Sequence, residues 1–399
     1  MEIIKLDFKL SDRVQRIKPS PTLAITARAA ELRAQGKDII GLGAGEPDFD
    51  TPDHIKAAAN QAIKDGFTKY TPVDGTASLK QAIIDKLSRD NQLNYNTSQV
   101  LVSCGGKQSF FNLTQALLNS GDEVIIPAPY WVSYPDMVLL ADGKPVIVEA
   151  DIKQNFKITA QQLEAAITPS TRLVVLNSPS NPSGIAYKRE ELEALGKVLL
   201  QHPQVLVATD DMYEHILWAD EPFSNIVMAC PELYDRTIVL NGVSKAYSMT
   251  GWRIGYAAGP ENLIKAMKKI QSQSTSNPAS ISQVAAEAAL NGNQSCVQEM
   301  LTAFKERHEY VHKRLNNIKG ITCLPSDGTF YAFPDVRGFI EQIDGVNDDM
   351  QLSEYLIEKV GVALVPGTVF GSPGYIRLSF ATSLEILEDA LNRIEKVIS

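Results

Sequence analysis

Short apolar runs alternate with amphipathic segments through the middle of the chain, and this alternation constrains the fold more than any other feature. Strands that alternate with helices over such a length form a mostly parallel sheet with helices on both faces. Helical patterns at 107–118 and 189–200 fit between the runs. The sequence therefore predicts an α/β fold. The predicted strands are 100–102, 123–126, 145–148, 172–176, 205–208 and 237–240.

The pattern changes after about residue 290. A long charged helix at 297–317 leads to short strands near 329–333 and 376–380, and then to a closing helix at 384–398. This order is typical of a smaller α+β domain. The N-terminal 45 residues are expected to pack with it. The predicted division is 1–45 as an N-terminal arm and part of the small domain, 46–292 as the large domain, and 293–399 as the small C-terminal domain.

Composition and charge exclude several classes of protein. The chain has 399 residues, is 44% hydrophobic and carries a net charge of −9, with no long basic run. This balance disfavours nucleic acid or an anionic membrane as the main partner. The four cysteines are far apart and form no CxxC pair, which favours free thiols in a reducing compartment. The first 20 residues lack the apolar core of a secretory signal, so a cytoplasmic protein is expected.

The most informative motif is SKAYSMTGWRIGY at residues 244–256. Its lysine, Lys245, follows the apolar run 237–240 and precedes small and aromatic residues. Such surroundings desolvate an amine and lower its pKa, which a lysine needs to attack carbonyl groups and form a Schiff base. Arg253, eight positions later, offers a fixed charge and forked donors for a phosphate or carboxylate.

A glycine pair, Gly105 and Gly106, joins the predicted strand 100–102 to a helix in the sequence SCGGKQ. Glycines at a helix N-terminus leave backbone N–H groups open, and the helix dipole favours a phosphate there. Close packing of strand on helix would favour glycine equally well. The motif is not a Walker loop, because Gln108 follows the lysine and Leu101 replaces the upstream glycine.

Two further motifs follow predicted strands. Asp210 opens the sequence DDMY after the strand 205–208, where it could cap a turn or serve as a fixed charge. The sequence NSPSNPSG at 177–184 is typical of a turn. Because ligands bind beyond the carboxyl ends of parallel strands, all these motifs are expected to meet at one edge of the sheet.

Taken in order over essentially the whole chain, these motifs resemble those of the class I pyridoxal-phosphate-dependent aminotransferases. DDMY is similar to the Asp-Glu-x-Tyr motif of that family, and NSPSNPSG to its Asn-Pro-[Thr/Ser]-Gly motif. The resemblance implies fold type I, which has a mostly parallel central sheet covered by helices and a smaller α+β domain. It also implies pyridoxal 5'-phosphate as the cofactor, and a homodimer whose active sites are shared across the interface.

The resemblance also implies a role for each position that contacts the cofactor. Lys245 would hold the cofactor and then move the 1,3-proton, and Asp210 would keep the pyridine nitrogen protonated. Two departures from the family pattern are Asp211 in place of glutamate and Gly242 in place of the serine or threonine of some branches. One phosphate contact is then either absent or replaced by Ser244. The other implied contacts are those of Tyr213 and Asn181 to the ring 3-oxygen, of Gly105, Gly106 and Arg253 to the phosphate, and of Tyr70 to the phosphate of the neighbouring subunit. Trp131 would stack against the ring, although a tryptophan could also belong to the core.

Substrate recognition needs a partner for the α-carboxylate of an amino acid, and a forked guanidinium suits it. Arg377 lies in the apolar strand pattern YIRLSF, so it needs a buried partner, and it matches the α-carboxylate arginine of the family. Gly45 matches a position whose backbone contacts the substrate.

The resemblance is closest to the bacterial aspartate aminotransferase branch. There Lys107 is the implied ligand of the distal carboxylate, helped by Thr22 and Lys18, although a lysine at a helix start could instead neutralise the phosphate. Thr22 and Lys107 together also resemble the pattern of prephenate aminotransferases. The expected reaction is transfer of the amino group from L-aspartate to 2-oxoglutarate, with a dual aspartate and prephenate activity as the alternative.

Two other motifs favour different classes of enzyme. Residues 308–312 read HEYVH, an HExxH pattern that places two imidazoles on one helix face for zinc in metallohydrolases. His308 shares that face with apolar residues, which favours core packing, and no metal site is predicted. The sequence GLGAG at 41–45 is similar to a dinucleotide-binding loop, but Pro47 and Asp48 follow where a helix should begin.

Overall fold

The strands of the protein belong to one large sheet and two small ones. The computed structural model describes residues 9–19 and 21–398. Residues 1–8, 20 and 399, which fall in the predicted N-terminal and C-terminal parts, lie outside the described residues. The strands are β1 Ile40–Gly41, β2 Val100–Ser103, β3 Glu123–Ala128, β4 Lys144–Glu149, β5 Thr171–Asn177, β6 Leu206–Asp210, β7 Thr237–Gly242, β8 Gly255–Ala258, β9 Tyr331–Ala332, β10 Val362–Ala363, β11 Val365–Pro366 and β12 Ile376–Ser379.

The large sheet has seven strands in the order β2-β8-β7-β6-β5-β3-β4. All neighbouring pairs are parallel except those of β8, which runs antiparallel to both β2 and β7. Each of the six predicted strands is present, with ends shifted by one or two residues. β8 is the strand that the sequence did not predict, since Gly255, Ala257 and Ala258 have little strand propensity. The α/β prediction is confirmed.

Several helices begin next to a residue whose side chain caps the helix N-terminus, and α5 begins after Gly105. Thr76, Thr159, Asn225 and Ser383 each cap a helix by accepting a bond from a backbone N–H of its first turn. The helices are α1 Asp12–Gln15, α2 Pro21–Ala34, α3 Asp53–Lys64, α4 Ala77–Asn91, α5 Gly106–Leu117, α6 Ser133–Leu140, α7 Ala160–Ala166, α8 Arg189–Gln201, α9 Ile226–Ala229, α10 Glu261–Ser272, α11 Ser280–Asn291, α12 Ser295–Asn317, α13 Arg337–Ile340, α14 Asp349–Tyr355 and α15 Leu384–Glu395.

Helices cover both faces of the large sheet. Successive strand residues point to opposite faces, so Val174 packs with α4, α8 and α11, while Val175 packs with α5, α6 and α10. Both faces are apolar, which explains why the strands read as continuous apolar runs. Within the described residues, no helix combines the length and the apolar character that a membrane crossing requires.

A second group of elements packs around α12 and α15. β1 pairs in parallel with β10, and β9, β12 and β11 form an antiparallel sheet. The pairing of Ile40 with Val362 joins the N-terminal segment to the C-terminal part of the chain. The domain boundaries at residues 45 and 292 stay a prediction.

Candidate active site

A cavity of about 460 Å³ opens at the carboxyl edge of the large sheet, a volume in the range of small-molecule sites. It lies between the strand ends and residues of the second group, including Tyr331. Of the predicted site residues, Gly105, Tyr70 and Lys18 do not line it. Those that line it are Thr22, Gly45, Gly106, Lys107, Trp131, Asn181, Asp210, Tyr213, Lys245, Arg253 and Arg377.

Lys245 lies in the loop after β7, and its amine donates a hydrogen bond of 2.6 Å to the carbonyl of Gly45. Burial, and next the Arg377 guanidinium, lower the pKa of the Lys245 amine to about 8, although Glu46 opposes this shift. At pH 7 roughly a tenth of such an amine is neutral, against roughly 0.03% for an ordinary lysine. The geometry therefore gives Lys245 the reactivity of a nucleophile.

Asp210 ends β6 and faces the same cavity. The hydroxyl of Tyr134 donates to one carboxylate oxygen at 2.5 Å, and the Met212 N–H donates to the other at 3.2 Å. Burial raises the pKa of Asp210, whereas the Tyr134 bond opposes the rise. Sequence reasoning missed Tyr134. It lies in the first turn of α6, and its ring packs edge-on against that of Trp131, with the ring centres 5.2 Å apart.

Two tyrosines and two asparagines hold the walls beside Asp210. The hydroxyls of Tyr213 and Tyr331 lie 3.0 Å apart, and both rings are buried. The Asn177 side chain donates to the carbonyl of Asp210 at 3.0 Å and accepts from the N–H of Asn181 at 2.8 Å. Asn177 and Tyr331 therefore belong to the site although only their neighbours were predicted.

The glycine loop between β2 and α5 is tightly packed against Arg253. Gly105 has φ +89°, and a Cβ there would lie 2.6 Å from an Arg253 guanidinium nitrogen. A Cβ on Gly255 would lie only 2.2 Å from the backbone nitrogen of Gly106. These contacts require glycine, and they bring the start of α5 and the Arg253 charge to one wall of the cavity.

Close packing also explains why position 242 is a glycine. A Cβ at this position would lie 2.9 Å from the carbonyl of Ile254, so serine or threonine would not fit without a shift of the backbone. Ser244 lines the cavity instead. Of the two positions, only Ser244 offers a hydroxyl to the cavity.

Arg377 is only 2% exposed, and its guanidinium forms no ion pair with a carboxylate among the described side chains. Its two terminal nitrogens donate to Asn181 Oδ1 at 2.8 Å and to the Gly43 carbonyl at 2.7 Å. Its Nε is buried without a partner. The guanidinium lies 4.4 Å from the centre of the Tyr331 ring and 4.9 Å from that of Phe370. A buried cation with an unused donor is ready for an anionic ligand.

Lys107 is a second cation in the cavity, and its ammonium lies 5.2 Å from the centre of the Trp131 ring. Burial lowers the pKa of Lys107, and the charge of Arg253 acts in the same direction. Lys18 lines a neighbouring cavity of about 470 Å³, which Lys107 and Arg253 also border. Of the three residues predicted to bind the distal carboxylate, Lys107 and Thr22 line the main cavity, and Lys18 lines only the neighbouring one.

Tyr70 does not line this cavity in its own chain. Its side chain is 93% exposed and contributes nothing to the walls. The sequence assigned Tyr70 to the neighbouring subunit's site, and that assignment stays a prediction.

The two competing motifs have structural roles. His308 is buried on α12, accepts a bond from the Ser326 N–H at 2.9 Å, and its ring lies tilted against that of Trp218, with the ring centres 5.2 Å apart. Burial lowers the pKa of His308 to about 4. Among the described residues, no group of three or more His, Cys, Asp or Glu side chains could hold a metal ion. After GLGAG the chain continues as a loop, and the next helix begins at Asp53.

Comparison with known proteins places this site in a family. Residues 37–394 match the family model of aminotransferases class I and II. An aspartate/prephenate aminotransferase from Nitrosomonas europaea is 62% identical over 397 residues, which cover 98% of this chain and 100% of that protein. The aspartate aminotransferase of Rhizobium meliloti has a similar crystal structure, with a TM-score of 0.95 and 48% identity over 98% of this chain and 99% of that one. The structure of the Thermus thermophilus aspartate aminotransferase with maleate has a TM-score of 0.92 and 42% identity, over 98% of this chain and 100% of that one. The chain therefore belongs to the class I and II aminotransferase family.

Proposed function

We propose that the protein is a pyridoxal-phosphate-dependent aspartate aminotransferase, which transfers the amino group of L-aspartate to 2-oxoglutarate and yields oxaloacetate and L-glutamate. One observation carries the proposal. Besides Arg253 at the phosphate wall, the cavity that contains the amine of Lys245 and the carboxylate of Asp210 also contains two further cations, Arg377 and Lys107, which form no ion pair among the described side chains. Two such cations suit a substrate with two carboxylates.

The cavity walls fit pyridoxal 5'-phosphate. The first N–H groups of α5 have no partner within the helix and, with Arg253, suit the phosphate. Asp210 suits the pyridine nitrogen, and Trp131 offers a flat face for the ring. When bound, the cofactor supplies an aldehyde that reacts with amines and a ring that accepts electrons from the substrate carbon.

The side chains of the cavity would divide the remaining work. The weakly basic amine of Lys245 would hold the cofactor, be displaced by the substrate amine, and then carry the proton between the substrate Cα and the cofactor carbon. Tyr213 and Asn181 would hydrogen-bond the ring 3-oxygen. Gly45 would contact the substrate through its backbone. Gly105 and Gly106 would complete the phosphate contacts.

Arg377 would bind the α-carboxylate, and Lys107 the distal one, with help from Thr22 and Lys18. The named activity of the relatives supports this assignment, as does the similar Thermus thermophilus structure, which is one with maleate, a dicarboxylate. A dual aspartate and prephenate activity is the second candidate. It is supported by Thr22 and Lys107 at the same cavity and by the name of the Nitrosomonas europaea relative.

The proposal includes a homodimer in the cytoplasm that binds neither nucleic acid nor membranes. Ile63, Phe67 and Tyr70 are exposed within eight residues of one another, which supports a protein partner on that surface. A second copy that covers it could receive Tyr70 at its own phosphate site.

A panel of amino donors tests the function. The purified protein, loaded with pyridoxal phosphate, should use aspartate and glutamate at least about tenfold more efficiently than alanine or leucine, because only the dicarboxylates engage both cations. Rates with 2-oxoglutarate and with prephenate as acceptors then separate the two candidates. Equal rates for all donors would contradict a dicarboxylate specificity, and no amino transfer at all would refute the proposal.

Replacement of Lys107 tests its carboxylate role. Lys107→Ala should lower kcat/KM for aspartate about 10- to 100-fold and change that for alanine little, because a charge-assisted hydrogen bond contributes about 1.5–3 kcal/mol. The exposed Lys144, at the opposite edge of the sheet, gives the control variant Lys144→Ala. If Lys107→Ala loses both activities equally and binds the cofactor less tightly, the lysine neutralises the phosphate instead.

A further inference from the structure

A buried carboxylate outside the cavity joins the two loops that carry the proposed catalytic residues. Glu214 directly follows Tyr213, and its side chain is 3% exposed. It forms an ion pair with Lys86 of α4, which is 1% exposed. It also accepts hydrogen bonds from Asn91 at 2.7 Å and from Asn241 at 2.5 Å. An isolated carboxylate would be very costly to bury, so these donors hold the charge in place.

The partners of Glu214 belong to two different elements that support the site, α4 and β7. Lys86 and Asn91 lie on α4, which packs in the apolar core under the sheet. Asn241 is near the end of β7, four residues before Lys245, and its own Oδ1 accepts from the N–H of Gly242 at 2.7 Å. A single carboxylate therefore connects a rigid helix, the loop after Asp210 and the start of the Lys245 loop.

The neighbouring acid does not make this connection. Asp211 accepts from Thr209 at 2.7 Å and from Asn225 at 2.6 Å, and its carboxylate makes no hydrogen bond to β7. Only its backbone N–H reaches that strand, by a bond of 2.9 Å to the carbonyl of Leu240. Glu214 is thus the acidic side chain of this segment that bonds to the β7 end.

We propose that Glu214 is a positioning residue, whose carboxylate fixes the loop of Lys245 and so holds its amine in the cavity that it shares with Asp210. Glu214 does not line the cavity, so it acts through Asn241 and the β7 end rather than on the substrate. This inference rests on the role proposed for Lys245. Substrate binding depends on Arg377 and Lys107, which Glu214 does not contact.

Glu214→Gln is the test variant, because it keeps the volume, removes the charge and places an amide N–H₂ among donors. Its kcat should fall between about tenfold and a hundredfold, the effect expected of a small misplacement, while KM for aspartate stays nearly constant. The second readout is made without cofactor. Reductive methylation of Lys245 by formaldehyde, followed by mass spectrometry across a pH series, gives the pH midpoint of its amine.

The midpoint in Glu214→Gln should rise by about one pH unit, because water that enters a loosened loop favours the ammonium form. The charged groups that face Lys245, which are Arg377, Glu46, Arg253 and Asp210, are unchanged in this variant. Loss of a nearby negative charge alone would lower the midpoint. The sign of the shift therefore separates loop positioning from a direct electrostatic effect.

Glu123→Gln is the matched control, since Glu123 is a buried acid paired with Lys144 at the opposite edge of the sheet. If Glu214→Gln does not fold, the double variant Lys86→Met/Glu214→Gln removes the unpaired ammonium and should show the same two effects. A midpoint and kcat like those of Glu123→Gln would overturn the inference. A wild-type protein that fails to transaminate would refute the proposed function instead.

Discussion

The Lys245→Ala variant is expected to lose aminotransferase turnover and to bind pyridoxal phosphate without a covalent link. The reason is that Lys245 has an amine of lowered pKa that feels the charge of Asp210, whereas the other amine of lowered pKa in the cavity, that of Lys107, lies against the Trp131 ring. The absorbance spectrum should lack the visible band of the lysine-linked cofactor. Borohydride reduction followed by mass spectrometry should detect no added mass on residues 244–256.

A surface lysine provides the control for this variant. Lys265 on α10 is 68% exposed and pairs with Glu261 within its own helix, so Lys265→Ala should keep both the visible band and the activity. Addition of methylamine to Lys245→Ala should recover a small part of the turnover, since a free amine can enter the cavity left by the side chain. An alanine variant that is fully active and yellow would show that another amine holds the cofactor.

The second large effect is expected at Arg377. Arg377→Gln should lower kcat/KM on the order of 10² to 10⁴-fold for every amino acid, because two charge-assisted hydrogen bonds to the α-carboxylate are lost at about 1.5–3 kcal/mol each. Arg377→Lys should recover only part of this loss, since an ammonium keeps the charge but not the fork. Steady-state rates with aspartate and alanine measure both variants.

The pattern of losses separates Arg377 from Lys107. Arg377 variants should reduce aspartate and alanine alike, whereas Lys107→Ala should reduce aspartate alone. Arg337, a largely exposed arginine paired with Asp335, gives the control Arg337→Gln, which should leave the rates unchanged. If Arg377→Gln affected only dicarboxylates, the assignment of the two carboxylates would have to be reversed.

Much of the fold was predictable because the large sheet is buried on both faces, and its strands therefore appear in the sequence as continuous apolar runs. β8 was missed because it begins at Gly255, where a Cβ would lie 2.2 Å from the backbone nitrogen of Gly106, so packing requires glycine in place of a residue with strand propensity. In the second group, β9 is shorter than predicted since Thr329 adopts φ +66°, which ends an extended chain. Packing rather than periodicity decides such positions.

The candidate site was predictable where a residue lies inside a local motif, as Lys245 and Asp210 do. Tyr134 and Tyr331 were missed because each acts through a partner that is distant in sequence, at 76 and 118 residues. Glu214 was missed for the same reason, since only the folded chain brings Lys86 and Asn241 to it. Hydrogen bonds between remote segments leave no pattern in the sequence itself.

The hydrogen bond between Lys245 and Gly45 ties the amine to a segment that is completed late. Gly45 comes shortly after β1, and β1 pairs with β10, which lies about 320 residues further along the chain. Until residues 362–363 have been synthesised, β1 cannot form this pairing, and Arg377 follows only after them. The proposed cofactor could therefore be held in a productive pose only after residues 362–377 have been made.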